Sequence, residues 1–286
     1  VTGNLGQMAA LVKPGKEWPF DITIEALNVT ITLNGSLKDI LNQSGLNLDF
    51  TIHASDLTKL AQFTGKPLLL NEQLEISGHT SDIGSKIYKI SGLKIIMDDN
   101  TINGLIEINL SKKLPRLSAE LSSNRLDLRP LMRQYKDIRK TEPKSTNGTK
   151  NVKKVFSSNP LSLDKLKIAD GTIKVHVKQL LLPRLAVNDM TIETTLKDGL
   201  ITFDPIKATI GAGTLNGLIT LTPQDQTAAL IAELKAEGIE IESMLKELSI
   251  TNVLEGKIDV EMNLKGRGES VATLMANLNE RWSDQK

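Results

Sequence analysis

Apolar and polar residues alternate along most of the chain. Residues 257–265 do so without interruption, with apolar side chains at Ile258, Val260, Met262 and Leu264. Because a strand points successive side chains to opposite faces, this pattern predicts a strand with one apolar and one polar face. The same alternation predicts strands at 21–24, 28–33, 47–52, 101–110, 172–178, 189–196 and 200–203.

Short turn signals separate the predicted strands. They lie at 34–35, 98–100, 170–171, 198–199 and 222–223 and consist of Asp, Asn, Gly and Pro residues. Parallel strands would require helical crossovers of about a dozen residues or more, and the chain has no such segments between its strands. The pattern therefore predicts a mainly β protein with an antiparallel meander.

Helical periodicity is limited to short segments with apolar residues three or four positions apart. These segments are too short to be stable alone, so we expect a few short helices docked on the sheet. They lie at 36–41, 57–63, 129–135, 242–248 and 270–278, and Ser243 and Ser270 are candidate N-caps.

An internal repeat organises the chain. Residues 101–106 (TINGLI) match residues 214–219 (TLNGLI), and without a gap 117–121 (LSAEL) match 230–234 (LIAEL). A fainter copy begins at Leu33-Asn34-Gly35. Stacking of such units would extend one sheet with one continuous apolar face.

A basic, polar segment divides the repeats. Residues 133–154 are rich in Lys, Arg, Thr, Ser, Asn and Gly and contain hardly any apolar residues. Such a composition cannot bury enough surface to fold by itself. We therefore expect an N-terminal β-rich region at 1–135, a linker at 136–157 and a C-terminal β-rich region at 158–286. The linker is either a solvated hinge or a patch for anionic lipid headgroups.

Composition excludes several classes of protein. The net charge of +1 argues against a nucleic-acid partner, and the lack of cysteine excludes disulfides, thiolate metal sites and cysteine nucleophiles. No apolar run approaches the roughly 18 residues of a membrane-spanning helix. The chain starts at Val1 without a signal-like segment, so we expect any membrane anchor to lie outside it.

The sequence offers no convincing catalytic, cofactor or metal site. His53, His79 and His176 lack metal-ligand spacing. The glycines at 211, 213 and 217 lead into a strand, so a bulge or tight bend fits better than a phosphate loop. Residues 98–100 suit a hairpin turn better than a calcium loop. The acidic residues Asp127 and Glu240, at equivalent repeat positions, fit helix N-termini better than a catalytic pair. We expect a protein that is not an enzyme.

Three motifs resemble those of the AsmA family. Residues 115–128 match its pattern P-x-L-x-A-x-L-x-S-x-x-L-D-L. Residues 198–217 resemble its hairpin of Gly, apolar and Pro positions, and residues 264–270 (LKGRGES) resemble its closing turn before a helix. The resemblance covers almost the whole chain outside the linker and specifies an architecture more than a chemistry.

The resemblance implies an extended, sharply curved, groove-like β-sheet with an apolar concave face. It also implies a periplasmic protein, tethered to the inner membrane of a Gram-negative bacterium, that conducts phospholipid toward the outer membrane. Burial of acyl chains against aliphatic side chains would supply about 0.8 kcal/mol per methylene. The candidate groove residues occupy the apolar register of the predicted strands: Ile106, Ile108, Ile173, Val175, Val177, Ile192, Ile201, Phe203, Ile219, Leu221, Ile258, Val260 and Met262.

Two alternatives to a lipid groove remain open at this point. The same residues could form the packed core of a closed sandwich. Alternatively, the protein could be a scaffold or assembly factor for outer-membrane proteins, with envelope partners that add a strand to an edge of the sheet. A continuous exposed apolar face would favour the groove, whereas a filled core with a bare edge would favour the scaffold.

Overall fold

The computed structural model describes residues 1–7, 15–39, 44–56, 73–133, 157–240 and 256–280. The chain divides into two compact units, Val1–Gln134 and Tyr135–Lys286. Strands make up 71% of the described residues, which confirms the predicted mainly β class. The boundaries 1–135 and 158–286 stay predictions, and the predicted linker lies outside the described residues apart from Ser157.

The first unit is an antiparallel meander in which each of the strands β1 to β8 pairs with the next one along the chain. A helix begins at Arg129 after the short strand β9 and is described as far as residue 133. The strands are β1 (Thr2–Leu5), β2 (Trp18–Ala26), β3 (Val29–Leu37), β4 (Asn47–Ala54), β5 (Leu74–Gly84), β6 (Ile87–Met97), β7 (Asn100–Asn109), β8 (Arg116–Ser123) and β9 (Leu126–Asp127).

The second unit repeats this plan. A 3₁₀ helix at Leu163–Lys167 precedes a meander in which β10 to β16 pair antiparallel in chain order. The helix α1 (Val271–Ala276) follows β15. The strands are β10 (Asp170–Leu182), β11 (Leu185–Lys197), β12 (Leu200–Ile210), β13 (Gly213–Gln224), β14 (Thr227–Glu240), β15 (Lys257–Gly268) and β16 (Asn279–Glu280).

The registers of the strands show that the sequence repeat is a structural repeat. Gly104 of β7 lies opposite Leu121 of β8, and Gly217 of β13 lies opposite Leu234 of β14, each 113 residues later in the chain. The preceding pairs share a bulge as well, since the register shifts between residues 90 and 93 in one copy and between 203 and 206 in the other. The two copies are therefore equivalent in pairing, as the sequence predicted.

Three of the predicted turns are wrong because the strands are longer than the alternation indicates. Residues 34–35 lie inside β3, where the backbone of β4 approaches Gly35 too closely for a Cβ atom. Residues 170–171 begin β10, and residues 222–223 lie inside β13, whose turn follows at 225–226. The turns at 98–99 and 198–199 are confirmed, with Asp98 and Asp198 in the left-handed region.

The predicted helices have mixed outcomes. Helices occur at 129–133 and at 271–276, within the predicted segments. The predicted helix at 36–41 is wrong at its start, because Leu37 extends β3 and lies opposite Trp18 of β2. The predicted helices at 57–63 and 242–248 lie outside the described residues.

Candidate functional site

One face of the second unit collects the candidate apolar residues of that unit. Residues directly opposite each other in an antiparallel pair lie on the same face, and so do residues two apart along a strand. Val175 lies opposite Ile192, and Phe203 lies opposite Ile219. By the same registers, all of the following lie on this face: Ile173, Val175, Val177, Ile192, Ile201, Phe203, Ile219, Leu221, Ile258, Val260 and Met262.

Two bulges keep this face continuous. In β12 the register shifts by one residue between Phe203 and Ile206, which returns Ile206 to the face of Phe203 and opposite Gly217. In β14 a second shift between Ala236 and Ile239 places Ile239 opposite Ile258. The side-chain period of a strand is two, so one extra residue without a bulge would move every following side chain of the strand to the opposite face. The bulges therefore preserve one apolar surface across the unit.

The side chains on this face are only partly covered. Val177 is buried, with 2% of its surface exposed, whereas Val260 is 36% exposed. The other candidate residues are half-buried. Among the described residues, the one side chain larger than alanine that is less than 2% exposed is that of Ser270. A closed sandwich would bury its large aliphatic side chains almost completely, so the described part of the chain does not have a sandwich core.

The first unit has an equivalent apolar face, which carries the two remaining candidates. Ile106 lies opposite Ile90 and Ala119, and Ile108 lies opposite Tyr88 and Leu117. Ile106 and Ile108 are half-buried, like the candidate residues of the second unit.

The most regular feature of this face is a row of isoleucines across six adjacent strands, which was not predicted from the sequence. Each member lies directly opposite the next, so the side chains follow one line perpendicular to the strands, and all are half-buried. The apolar register of β2, β3, β4 and β7 could have identified four of them, but β5 and β6 were not recognised as strands. The row consists of Ile24, Ile31, Ile52, Ile76, Ile95 and Ile102.

The opposite face of each unit is the more polar one, although Leu180 and Val187 lie opposite each other on it and are buried. His79 lies opposite Asp49, with 2.8 Å between its Nδ1 and the Asp49 carboxylate. Lys174 lies opposite Glu193, at 3.4 Å between Nζ and the carboxylate. His176 Nδ1 lies 3.1 Å from the Thr191 hydroxyl. His53 and His176 are exposed, and His79 is half-buried.

A small cap covers one end of the apolar face in the second unit. The helix α1 packs on β15 over Gly266 and Gly268, where an added Cβ atom at Gly266 would lie 2.8 Å from the Leu274 carbonyl oxygen. Ser270 caps this helix, because its side chain accepts from the Thr273 backbone N–H at 3.2 Å. The segment before the 3₁₀ helix joins the cap through the Leu161 N–H, which donates to the Glu269 carbonyl at 2.7 Å. The cap buries Leu274, which is 3% exposed.

Asp127 stabilises the start of a helix, as the sequence analysis expected. Its carboxylate accepts hydrogen bonds from the Arg129 backbone N–H at 3.0 Å and from the Arg129 side chain at 2.6 and 2.9 Å. These hydrogen bonds favour the charged carboxylate and lower the pKa of Asp127 to about 2. The Asn100 side chain, itself buried, hydrogen bonds both the backbone N–H and the carbonyl of Asp127. The counterpart Glu240 ends β14, and its predicted helix lies outside the described residues.

Glycines at the repeat positions allow close packing between strands. Gly211 lies in the turn after β12 with φ +59°, as expected for a tight bend. Gly213 and Gly217 lie inside β13. A Cβ atom at Gly213 would lie 2.6 Å from the backbone of Gly238, and one at Gly217 would lie 2.6 Å from the Leu234 side chain.

Within the described ranges, no three His, Asp or Glu side chains come close enough to hold a metal ion. No helix in the same part of the chain combines the length and apolar character needed to span a membrane.

Comparison with known proteins places these two repeat units in a family. The model of the AsmA family matches residues 21–281. The AsmA family protein YhjG of Escherichia coli K-12 is 22% identical over 292 residues, an alignment that covers 97% of this chain and 43% of YhjG. The chain thus spans less than half the length of this curated relative. No solved structure matches the chain. Since the family match covers both repeat copies and the closing Gly-x-Gly-x-Ser segment before α1, the chain belongs to the AsmA family.

Proposed function

We propose that the protein binds phospholipid acyl chains on the apolar faces of its two units and conducts phospholipid between the inner and outer membranes, without catalysing a reaction. The observation that carries this proposal is the continuous, half-exposed apolar face in each unit. Exposed apolar surfaces of this extent usually bind a ligand. Membership of the AsmA family supports an envelope- or lipid-related role.

The chemistry of the face fits acyl chains. Most of its side chains are aliphatic, and the ion pairs His79–Asp49 and Lys174–Glu193 lie on the opposite face. The face also carries five aromatic side chains, Trp18, Phe20, Phe50, Tyr88 and Phe203, and a minority of polar ones, Thr80, Asp82, Asn100, Gln179, Asn188 and Thr194. The isoleucine row of the first unit crosses six strands about 4.8 Å apart, a span of about 24 Å. That span exceeds the roughly 15 Å of one half of a bilayer's hydrocarbon core, which a single acyl chain fills. A lipid tail could therefore lie along such a row with its headgroup in water.

Family membership also motivates the proposed location. We infer a periplasmic protein tethered to the inner membrane by a segment outside this chain, contributing to biogenesis of the outer membrane.

Charge substitution on the two faces tests acyl-chain binding. Ile219 lies on the apolar face between Phe203 and Ala232, while its neighbour Thr220 lies on the polar face between Thr202 and Ile231. We expect Ile219→Glu to fold, since a half-exposed carboxylate can stay hydrated, and to weaken binding of a fluorescent phospholipid about tenfold or more. The matched control Thr220→Glu should bind as the wild type does.

A second pair of variants repeats the test on a different strand. Val175→Glu changes the apolar face, and His176→Glu changes the polar face of the same strand. Circular dichroism reports folding, and native mass spectrometry reports phospholipid that copurifies with each variant. Unfolding of both apolar-face variants would indicate a packed core, and normal lipid binding by both folded variants would contradict the groove.

One observation favours the alternative role as an assembly scaffold. Within the described residues, β16 pairs with β15 only at Leu264 and Lys265, so 257–263 of β15 have a strand neighbour on one side. An incoming strand from an envelope protein could pair with this edge. Such pairing would slow hydrogen exchange of the β15 backbone amides on addition of the partner, whereas lipid binding alone would leave the edge amides unchanged.

A further inference from the structure

Two turns lie side by side at one end of the first unit's sheet. The Leu110 N–H donates to the Lys86 carbonyl at 2.8 Å, and Asn109 lies opposite Ile87. This contact joins the turn between β5 and β6 to the turn between β7 and β8. We call residues 83–89 together with residues 108–116 the basic tip.

The basic tip concentrates positive charge in a chain that is nearly neutral. It contains five basic residues and no acidic residue: Lys86, Lys89, Lys112, Lys113 and Arg116. All except the half-buried Lys89 are exposed. Among the described residues none of the five forms an ion pair. The nearby carboxylate of Asp82 instead accepts from the Gly45 N–H at 3.0 Å. Two carboxylates border the tip, since Glu107 lies opposite Lys89 and Asp82 lies opposite Tyr88. Five basic residues against these two acidic ones leave an excess of positive charge at the tip.

Large aliphatic side chains are exposed among these cations. Ile83 is 54% exposed and Leu110 is 45% exposed, and they flank the strand end at Lys86. Tyr88, opposite Ile108, extends the apolar face toward the tip. Exposed aliphatic residues beside lysines, with an aromatic residue close behind, are typical of surfaces that bind at the membrane–water interface.

The structural repeat indicates that the fold does not require this tip. The equivalent turns of the second unit lie between β11 and β12 and between β13 and β14. The strands β12 to β14 pair in the same registers as β6 to β8, whereas the bulge between Asp82 and Gly84 in β5 has no counterpart in β11. Their residues 196–202 and 221–229 contain one basic and two acidic residues, Lys197, Asp198 and Asp225. Lys167 also packs on that end, since a Cβ atom at Gly199 would lie 3.1 Å from its Cγ. Both ends expose aliphatic side chains, such as Leu200 in the second unit, so the excess of positive charge is what distinguishes the first unit's tip.

We propose that the basic tip docks on a membrane surface that contains anionic phospholipid. The lysines contact headgroup phosphates, and Ile83 and Leu110 enter the boundary between headgroups and acyl chains. This docking does not depend on acyl-chain binding by the apolar face, because the tip lies at the strand ends and binds the intact bilayer surface.

Charge reversal tests the electrostatic part of the proposal. The full chain is sedimented with phosphatidylcholine vesicles and with vesicles that also contain phosphatidylglycerol. Each lysine close to an anionic surface contributes about fivefold in partitioning. We therefore expect Lys86→Glu/Lys112→Glu/Lys113→Glu to lower partitioning into the anionic vesicles by about 100-fold. Binding of the wild type should weaken at high salt because the charges are screened.

A matched triple variant controls for net charge. Lys94→Glu/Lys207→Glu/Lys265→Glu changes the net charge equally at exposed positions in the middle of strands. Both triple variants keep the basic residues of 136–157, so only a difference between them reports the tip. Partitioning of the control triple should fall by less than about fivefold. Equal losses in the two triples, or no loss in either, would overturn the proposal.

Site-specific labelling tests insertion. The chain has no cysteine, so Leu110→Cys creates a single attachment site for an environment-sensitive fluorophore. Its emission should shift to shorter wavelength on anionic vesicles, whereas a label at Lys94→Cys should not respond. An unchanged signal at position 110 would contradict docking by the tip. Ile219→Glu should keep this response even if it loses acyl-chain binding, which separates a failure here from a failure of the proposed groove.

Discussion

At the scale of single residues, Asp127 shows how a family motif can be structural. In the Leu-Asp-Leu step at 126–128, the carboxylate caps the helix that begins at Arg129 and pairs with the Arg129 guanidinium. The spacing of apolar and acidic residues was enough to predict this role. The Asn100 side chain hydrogen bonds both the backbone N–H and the carbonyl of Asp127. This contact could not be predicted from the sequence, because the two residues are 27 positions apart and come together only in the folded sheet.

We expect Asp127→Ala to lower the free energy of unfolding by about 1 kcal/mol at neutral pH, because the helix loses its N-terminal acceptor. The folded pKa of about 2 lies below the ordinary value of 3.8. The stabilisation by the charged carboxylate is therefore complete above about pH 4 and is lost as the pH falls toward 2. Urea unfolding at pH 6 and pH 2.5 checks this, since the difference between wild type and variant should shrink at the lower pH.

Asp127→Asn is the informative control, because the amide oxygen can still accept the Arg129 N–H but carries no charge. The difference in stability between Asp127→Asn and Asp127→Ala should not vary over this pH range because neither side chain titrates, whereas the advantage of the wild type over both should shrink at pH 2.5. A difference between wild type and Asp127→Ala that stays constant from pH 6 to 2.5 would contradict the assigned ionic role.

At the scale of elements, alternation predicted strands well wherever the strand was regular. It missed β5 and β6, because Gly78 and Thr80 occupy apolar-face positions in β5 and a bulge at Gly92 changes the period of β6. It ended β12 at Phe203 for the same reason, although the strand continues past a bulge to Ile210. A bulge inserts one residue, so a rule with a period of two detects only the part of the strand on one side of it.

Gly213 and Gly217 of β13 differ in what lies closest to them. Gly213 faces the backbone of the β14 bulge, which cannot move aside, whereas Gly217 faces the flexible end of the Leu234 side chain. We expect Gly213→Ala to cost about 1–3 kcal/mol through overpacking, and Gly217→Ala to cost clearly less. Denaturant titration of both variants measures the difference, and equal costs would show that the close backbone approach at Gly213 is not a constraint.

At the scale of the whole molecule, the sequence indicated the class, the repeat and the apolar register of the candidate residues. It could not show how far those residues are covered, since an exposed face and a sandwich core have the same alternation. The half-burial of Ile106, Ile192 and Ile219 separates the two, and that depends on which elements pack over the face. The basic tip could not be predicted from the sequence either, because residues 83–89 and 108–116 are distant in the chain and come together only when β6 pairs with β7.

Because few large side chains among the described residues are fully buried, unfolding should expose less new apolar surface than in a compact protein of this size. We expect a heat-capacity change on unfolding below the roughly 12–15 cal/mol/K per residue of compact proteins. Differential scanning calorimetry of delipidated protein measures it. Saturation with phospholipid should raise both the heat-capacity change and the melting temperature, because bound acyl chains leave the face on unfolding. A value in the ordinary range for delipidated protein would indicate a packed core.

Because the two repeat copies share the same strand registers from β6 to β8 and from β12 to β14, the width of such a sheet can change in steps of whole hairpins. A hairpin added in register widens such a sheet by two strand spacings, about 10 Å, without changing the pairing of its neighbours. The apolar and polar sides of the added strands are fixed by the same alternation, so they align with the existing ones. Duplication of whole hairpins would therefore change the reach of an AsmA-type sheet in fixed increments, while a single-residue insertion would reverse one strand and break the line of apolar side chains.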